Sequence, residues 1–183
     1  MKVTHVLAGI IALIVVAAVV FIFVMPLFAA PHFGFPSTSQ VDSATGASNY
    51  TASNVISSSA SSAGSPPGGV KVESVYFNNT SGSLQFAVIQ FKSTSFSNKE
   101  FLNLTTLFSP LLKISGGSMQ NMTYRGASIV VLDILGHSGI AYGKLGDYIF
   151  AVIYSQHSSL VSSYISASTM KSLIQSEVDA MTS

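Results

Sequence analysis

The chain has no cysteine and no tryptophan, and Asp, Glu, Lys and Arg together make up only 8% of its 183 residues, against about 25% in an ordinary soluble domain. Without cysteine there are no disulfides and no thiolate ligands, so packing must hold any folded part together and a blue-copper or zinc-thiolate centre is excluded. Lys and Arg are sparse, with none between Lys2 and Lys71. That leaves no basic cluster for nucleic acid, and no Gly-rich loop runs from a strand into a helix to cradle a nucleotide. The carboxylates stand singly among turns and helix ends, which argues against the paired acids of a glycosidase. No cofactor is indicated.

What is abundant is apolar sequence at one end. Val6 to Phe28 is a run of 23 residues without a charge. As a helix rising 1.5 Å per residue it reaches about 34 Å, enough for a hydrocarbon core of about 30 Å with modest tilt. Membrane lipid is therefore an expected partner through residues 6–28. A cleavable signal peptide is disfavoured, because its apolar core runs only about 7–15 residues and a cut after Ala30 would leave Phe28 at the third position with Pro31 following. Lys2 and the terminal amine precede the run, so residues 1–5 are expected in the cytoplasm and everything after the span outside. Ala8 and Ala12 offer a weak small-residue contact for another span, as in a subunit of a membrane complex.

Residues 29–69 are dominated by Ser, Ala, Thr, Gly and Pro, with Asp42 as the single charge and Pro66-Pro-Gly-Gly69 closing the segment. Such a stretch buries too little apolar surface to offset its chain entropy and is predicted to be a disordered stalk, reaching roughly 35 Å as a flexible chain. Five sequons, at Asn49, Asn78, Asn79, Asn103 and Asn121, fit an external, N-glycosylated location. In composition, the single anchor, hydroxyl-rich stalk, sequons, missing cysteine and scarce charge resemble cell-surface proteins of thermoacidophilic archaea. A neutral hydroxyl and amide surface avoids both carboxylate protonation and cationic self-repulsion in acid.

Residues 70–183 are predicted to be an α+β domain of order β-β-α-β-β-β-α, an antiparallel sheet with two helices on one face. Strands are expected over Val70–Phe77 and Leu84–Lys92. Ser97-Asn-Lys-Glu100 matches a capping box opening a helix with Phe101, Leu104, Leu107 and Phe108 on one face, ended or kinked by Pro110. Met122 to Leu135 is read as a strand bent at Gly126, followed by Ile140–Leu145 and Tyr148–Tyr154. Met170, Leu173, Ile174, Val178 and Met181 mark a final helix behind Ser166 or Ser168, with Glu177 and Asp179 on its solvated side.

The chemically suggestive stretch is Asp133-Ile-Leu-Gly-His137-Ser138-Gly. It approaches a nucleophile elbow, but the second glycine comes one place early and the segment lies between hairpin strands. A polar tight turn is the plain reading. His137 and His157 lack short ligand spacing with other donors, so no metal site is expected. The resulting expectation is a non-catalytic, membrane-anchored extracytoplasmic binding or accessory protein, with Tyr76, Tyr124, Tyr142, Tyr148 and Tyr154 as contacts for sugar, peptide or surface-layer protein. The alternatives are a subunit of a multi-protein membrane complex and a surface hydrolase using Ser138 and His137.

Overall fold

The structure, a computed structural model, describes residues 31–59, 68–156 and 165–183. The expected cytoplasmic end and span at 6–28 lie outside the described residues. Among the described residues no helix is long and apolar enough to cross a membrane.

Helix α1 (Thr38–Thr45) is followed by β1 (Thr51–Ala52), β2 (Ile56–Ser59), β3 (Gly69–Asn78) and β4 (Gly82–Phe91). Helix α2 (Thr94–Ile114) leads to β5 (Ser118–Tyr124), β6 (Ala127–Asp133), β7 (His137–Ser138), β8 (Ile140–Leu145) and β9 (Tyr148–Gln156). The chain closes with β10 (Ile165–Ser166) and α3 (Ala167–Met181). Eight strands form one antiparallel sheet of order β1-β3-β4-β9-β8-β6-β5, with β2 also on β3; β7 and β10 pair separately. The expected α+β class with an antiparallel sheet is observed.

Two details of the expected order change. Met122 to Leu135 is a hairpin and not one bent strand, because Arg125 (φ 44°) and Gly126 (φ 80°) both take left-handed backbone, the requirement of a tight turn that matches strand twist. Helix α2 starts at Thr94, so Ser97 is not its cap: it is buried inside the helix, donating to the carbonyls of Thr94 and Gly146 at 3.0 and 2.8 Å. Pro110 does not end the helix, which continues to Ile114.

The helices cover opposite faces of the sheet, not one. Alternation along β6 sends Ile129 and Val131 to one side and Val130 and Leu132 to the other. The first side packs with Val75, Phe77, Phe86, Phe150 and Val152 against Met170, Leu173, Ile174, Val178 and Met181 of α3. The second packs with Tyr142 beneath Leu112, Phe101, Leu104 and Phe108 of α2. Strands apolar on both faces require cover on both. Ser166 caps α3, its Oγ accepting from Thr169 N at 3.0 Å.

The expected disordered stalk is corrected over residues 31–59, which belong to the folded domain. His32 N donates to Met181 O at 3.1 Å, and Phe33 meets Tyr148 edge-on. Ser37-Thr-Ser-Gln40 is a capping box: Ser37 Oγ accepts from Gln40 N, and Gln40 Oε1 accepts from Ser37 N at 2.7 Å. Val41 and Tyr50 enter the core, and β1 and β2 extend the sheet along β3. Composition predicted disorder because the segment carries few apolar residues; those few converge on α3, where burying each is worth about 1.5–3 kcal/mol. Residues 60–67 of the expected stalk lie outside the described residues.

Between the sheet and α1, α3 buries one broad face that includes Glu177, while Ser168, Lys171 and Ser172 stay exposed, and this overturns the expectation that Glu177 is solvated. Glu177 falls on the stripe of Leu173, Ile174 and Met181, is 0% exposed, and neither carboxylate oxygen has a hydrogen-bond partner among the described residues. Burial pushes its carboxyl well above the ordinary value of 4.5. Asp179, two residues on and so on the other side of the helix, instead pairs with Arg125 Nε at 3.0 Å and accepts from Tyr124.

Two outcomes follow. The folded state holds the Glu177 proton at pH values where the unfolded chain has released it, so stability falls as pH rises from 4.5 through the raised folded value. Denaturant midpoints of the full chain between about pH 4 and pH 8 are expected to decline in the wild type and to flatten in Glu177→Met. Val41→Ala is expected to cost about 2 kcal/mol in the same titration at fixed pH; a change near zero would return residues 31–59 to a stalk.

Candidate functional site

The polar turn after β6 is built by two left-handed residues, Leu135 (φ 55°) and Gly136 (φ 84°), flanked by Ile134 and His137, whose backbones bond each other at 2.8 and 3.1 Å. The Asp133 carboxylate accepts from Gly136 N at 2.6 Å and from the Gln120 side chain. Ser138 is 0% exposed and its Oγ donates to Ile140 O at 3.0 Å, whereas His137 on the neighbouring position is exposed. Successive strand residues point to opposite sides. Asp133, His137 and Ser138 are close in sequence, yet they do not converge on one point. Asp133 braces the turn, Ser138 closes the strand end, and Gly136 O between them accepts from Ala167 N at 3.0 Å to hold the start of α3. His157 lies outside the described residues. Among the described residues no three His, Cys, Asp or Glu side chains sit together as metal ligands. Met119 and Met122 pack against opposite faces of the sheet.

The sequon asparagines divide by environment. Asn49, Asn103 and Asn121 are exposed. Asn78 is half-buried in the β3–β4 ladder, and Asn79 Oδ1 accepts from Ser81 N and Gly82 N at 2.9 and 3.0 Å, which commits that side chain to the turn.

The tyrosines do not share one face. Tyr142 is buried beneath α2 with its hydroxyl on Thr105 at 3.1 Å, Tyr148 packs on Phe33, and Tyr124 binds Asp179. Tyr154 instead joins Tyr50 in a cleft of about 300 Å³, together with Thr45, Asn79, Ser81, Ser166 and Thr169. Among the described residues no charged side chain lines it. Burial is the main cause that raises the Tyr50 phenol, with Tyr154 adding to it and an Asn79 hydrogen bond opposing; the phenol therefore stays protonated and the cleft neutral. Its donors and acceptors suit a neutral, hydroxyl- or amide-bearing ligand, and its two rings supply apolar faces. Tyr50 and Thr45 were missed in the sequence because the segment holding them reads as stalk; the Ser37-Thr-Ser-Gln40 box ahead of Val41 is the signal that points to order there.

A second cavity, of about 190 Å³, opens between α2 and the far ends of β6 and β8 and is lined mainly by Phe108, Leu111, Leu112, Leu132, Ile134 and Ile140. Beside it Leu107, Leu111 and Ile114 are 60, 55 and 86% exposed along one helix stripe, with Leu135 at 83%.

No family model and no curated protein matches the chain. Among solved structures, the extracellular domain of PknH from Mycobacterium tuberculosis is similar at a TM-score of 0.49 and 12% identity, over 82% of this chain and 97% of that one.

A fluorophosphonate probe for reactive serines is expected to leave the protein unlabelled, and Ser138→Ala to lower stability by about 1 kcal/mol through loss of one buried hydrogen bond. Labelling that disappears in Ser138→Ala would restore the nucleophile.

Proposed function

We propose that the chain is a membrane-anchored extracytoplasmic binding protein without catalytic activity, held by residues 6–28 with its amino end in the cytoplasm. The observation that carries this reading is the uncharged 23-residue run joined to a small domain with a cleft that, among the described residues, is lined by hydroxyls, an amide and two tyrosines and by no charge. The ligand class that fits is a neutral glycan or a peptide, including the glycans or segments of a surface layer. The closed hydroxyl of Ser138 and the bracing carboxylate of Asp133 favour binding over hydrolysis. An acidic, N-glycosylating exterior is supported by the buried carboxyl of Glu177 and by the exposed sequons Asn49, Asn103 and Asn121.

A second reading, an accessory subunit of a membrane complex, is favoured by the exposed stripe of Leu107, Leu111 and Ile114 beside an apolar cavity. Large contiguous apolar surface marks protein contact sites.

The chain is expected to stay in the pellet after alkaline extraction of membranes and to be digested by protease added to intact cells. Binding to immobilised neutral glycans or surface-layer peptides is expected to weaken about tenfold in Tyr154→Ala, the loss of a single aromatic contact. Stoichiometric companions on a gentle-detergent native gel, with no binding to glycan or peptide, would favour the accessory subunit.

A further inference from the structure

Once residues 31–59 are folded into the domain, only residues 29 and 30 separate the apolar run from Pro31. Three peptide units from Phe28 to Pro31 reach at most about 11 Å. The headgroup layer of one leaflet is itself about 5–8 Å deep, so an anchored domain has no room to stand clear of it.

Pro31 marks which end of the domain is tied. A Cβ on Gly146, in the β8–β9 turn, would lie 3.3 Å from the Pro31 ring, and His32 N bonds the last residue of α3. The strand registers gather at the same end the start of β3, the end of β4, the β5–β6 turn at Arg125-Gly126 and the β8–β9 turn. Phe91 N donates to Asp147 O at 2.9 Å, Lys92 N to Gly68 O at 3.0 Å, and Ser97 Oγ to Gly146 O at 2.8 Å, which ties the start of α2 to this end as well.

We propose that this end of the domain rests on the surface of the bilayer that holds residues 6–28, with the lipid headgroups as its occupant; the proposal rests on the anchored reading above. The surface fits that occupant in two respects. Phe96 and Val70 are 43 and 46% exposed there, an aromatic and an aliphatic side chain suited to the interfacial zone. Lys92 is exposed and Lys144 half-exposed, cations that anionic headgroups attract. Two carboxylates at this end are paired, Asp179 with Arg125 and Glu73 with Lys71, and Asp147 is half-buried. Lys92 and Lys144 have no carboxylate partner among the described residues.

The neutral cleft then lies at the other end. Strand β4 runs from Gly82, beside the cleft, to Phe91 at the lipid end, a length of about 30 Å. The docked domain presents its cleft outward at a fixed height, where a flexible stalk would let it wander.

The chain contains no cysteine, so single cysteines at Lys92→Cys, Phe96→Cys and Thr80→Cys can carry one fluorophore each. The full chain is placed in liposomes of mixed neutral and anionic lipid containing a headgroup-linked quencher. Severalfold stronger quenching at positions 92 and 96 than at 80 is expected. Equal quenching at all three, in protein that resists alkaline extraction, would overturn the docking while leaving the anchor standing. Release of the chain by alkali would overturn the anchor, and the docking with it. Using two exposed positions at the lipid end keeps the result independent of any one substitution.

Discussion

The packing of α3 between two layers is the constraint on which the rest of the domain depends. Its stripe of Met170, Leu173, Ile174, Val178 and Met181 is wholly buried, with the sheet covering one part of it. The remaining cover comes from the segment ahead of β1: Phe33, Phe35 and Val41 pack on the same cluster, and Gly34 lies so close to the Ala180 carbonyl that a Cβ would overlap it. The chain's first and last described segments thus hold each other in place, and the sheet is the floor beneath both. On the other face α2 does a simpler job, covering Val130, Leu132 and Tyr142 with one apolar side while leaving Leu107, Leu111 and Ile114 in solvent.

The same enclosure explains the acid-base character of the protein. A carboxyl placed on the inner stripe of a doubly covered helix meets neither water nor, among the described residues, a donor, so only its neutral form is tolerable. In most proteins buried carboxylates are ionised and paired, and acid unfolds them. Here the one carboxyl at full burial among the described residues works in the opposite sense, and the scarcity of surface charge removes much of the self-repulsion that acid would otherwise bring.

The two ends of the sheet differ in chemistry. At the end near Pro31 stand Lys92, Lys144, Arg125 and the exposed Phe96, while about 30 Å away the cleft of Tyr50, Tyr154, Asn79 and Thr169 carries no charge among the described residues. Under the proposed anchoring, the tether and a ligand in the cleft would not compete for space. The exposed stripe on α2 lies along the side, free for a lateral partner.

Much of the domain was legible in the residues. The apolar runs placed β3, β4, β8 and β9, and helical spacing placed α3 behind Ser166 or Ser168, of which Ser166 is the cap, although the helices were assigned to one face of the sheet. Local pattern failed where distant partners decide. Ser97-Asn-Lys-Glu100 has the form of a cap but lies inside α2 because Gly146, far along the chain, draws the serine inward; Ser37-Thr-Ser-Gln40 has the same form and is a real cap in a segment too poor in apolar residues to suggest order. The chain by itself determined the uncharged apolar run, the absence of cysteine chemistry and the antiparallel α+β class, since composition and periodicity are properties of neighbours in sequence. Only the tertiary structure decided that the supposed stalk is core, that Glu177 is enclosed and that Tyr50 meets Tyr154 across a neutral cleft, because burial depends on which distant surfaces meet, and no local pattern records that.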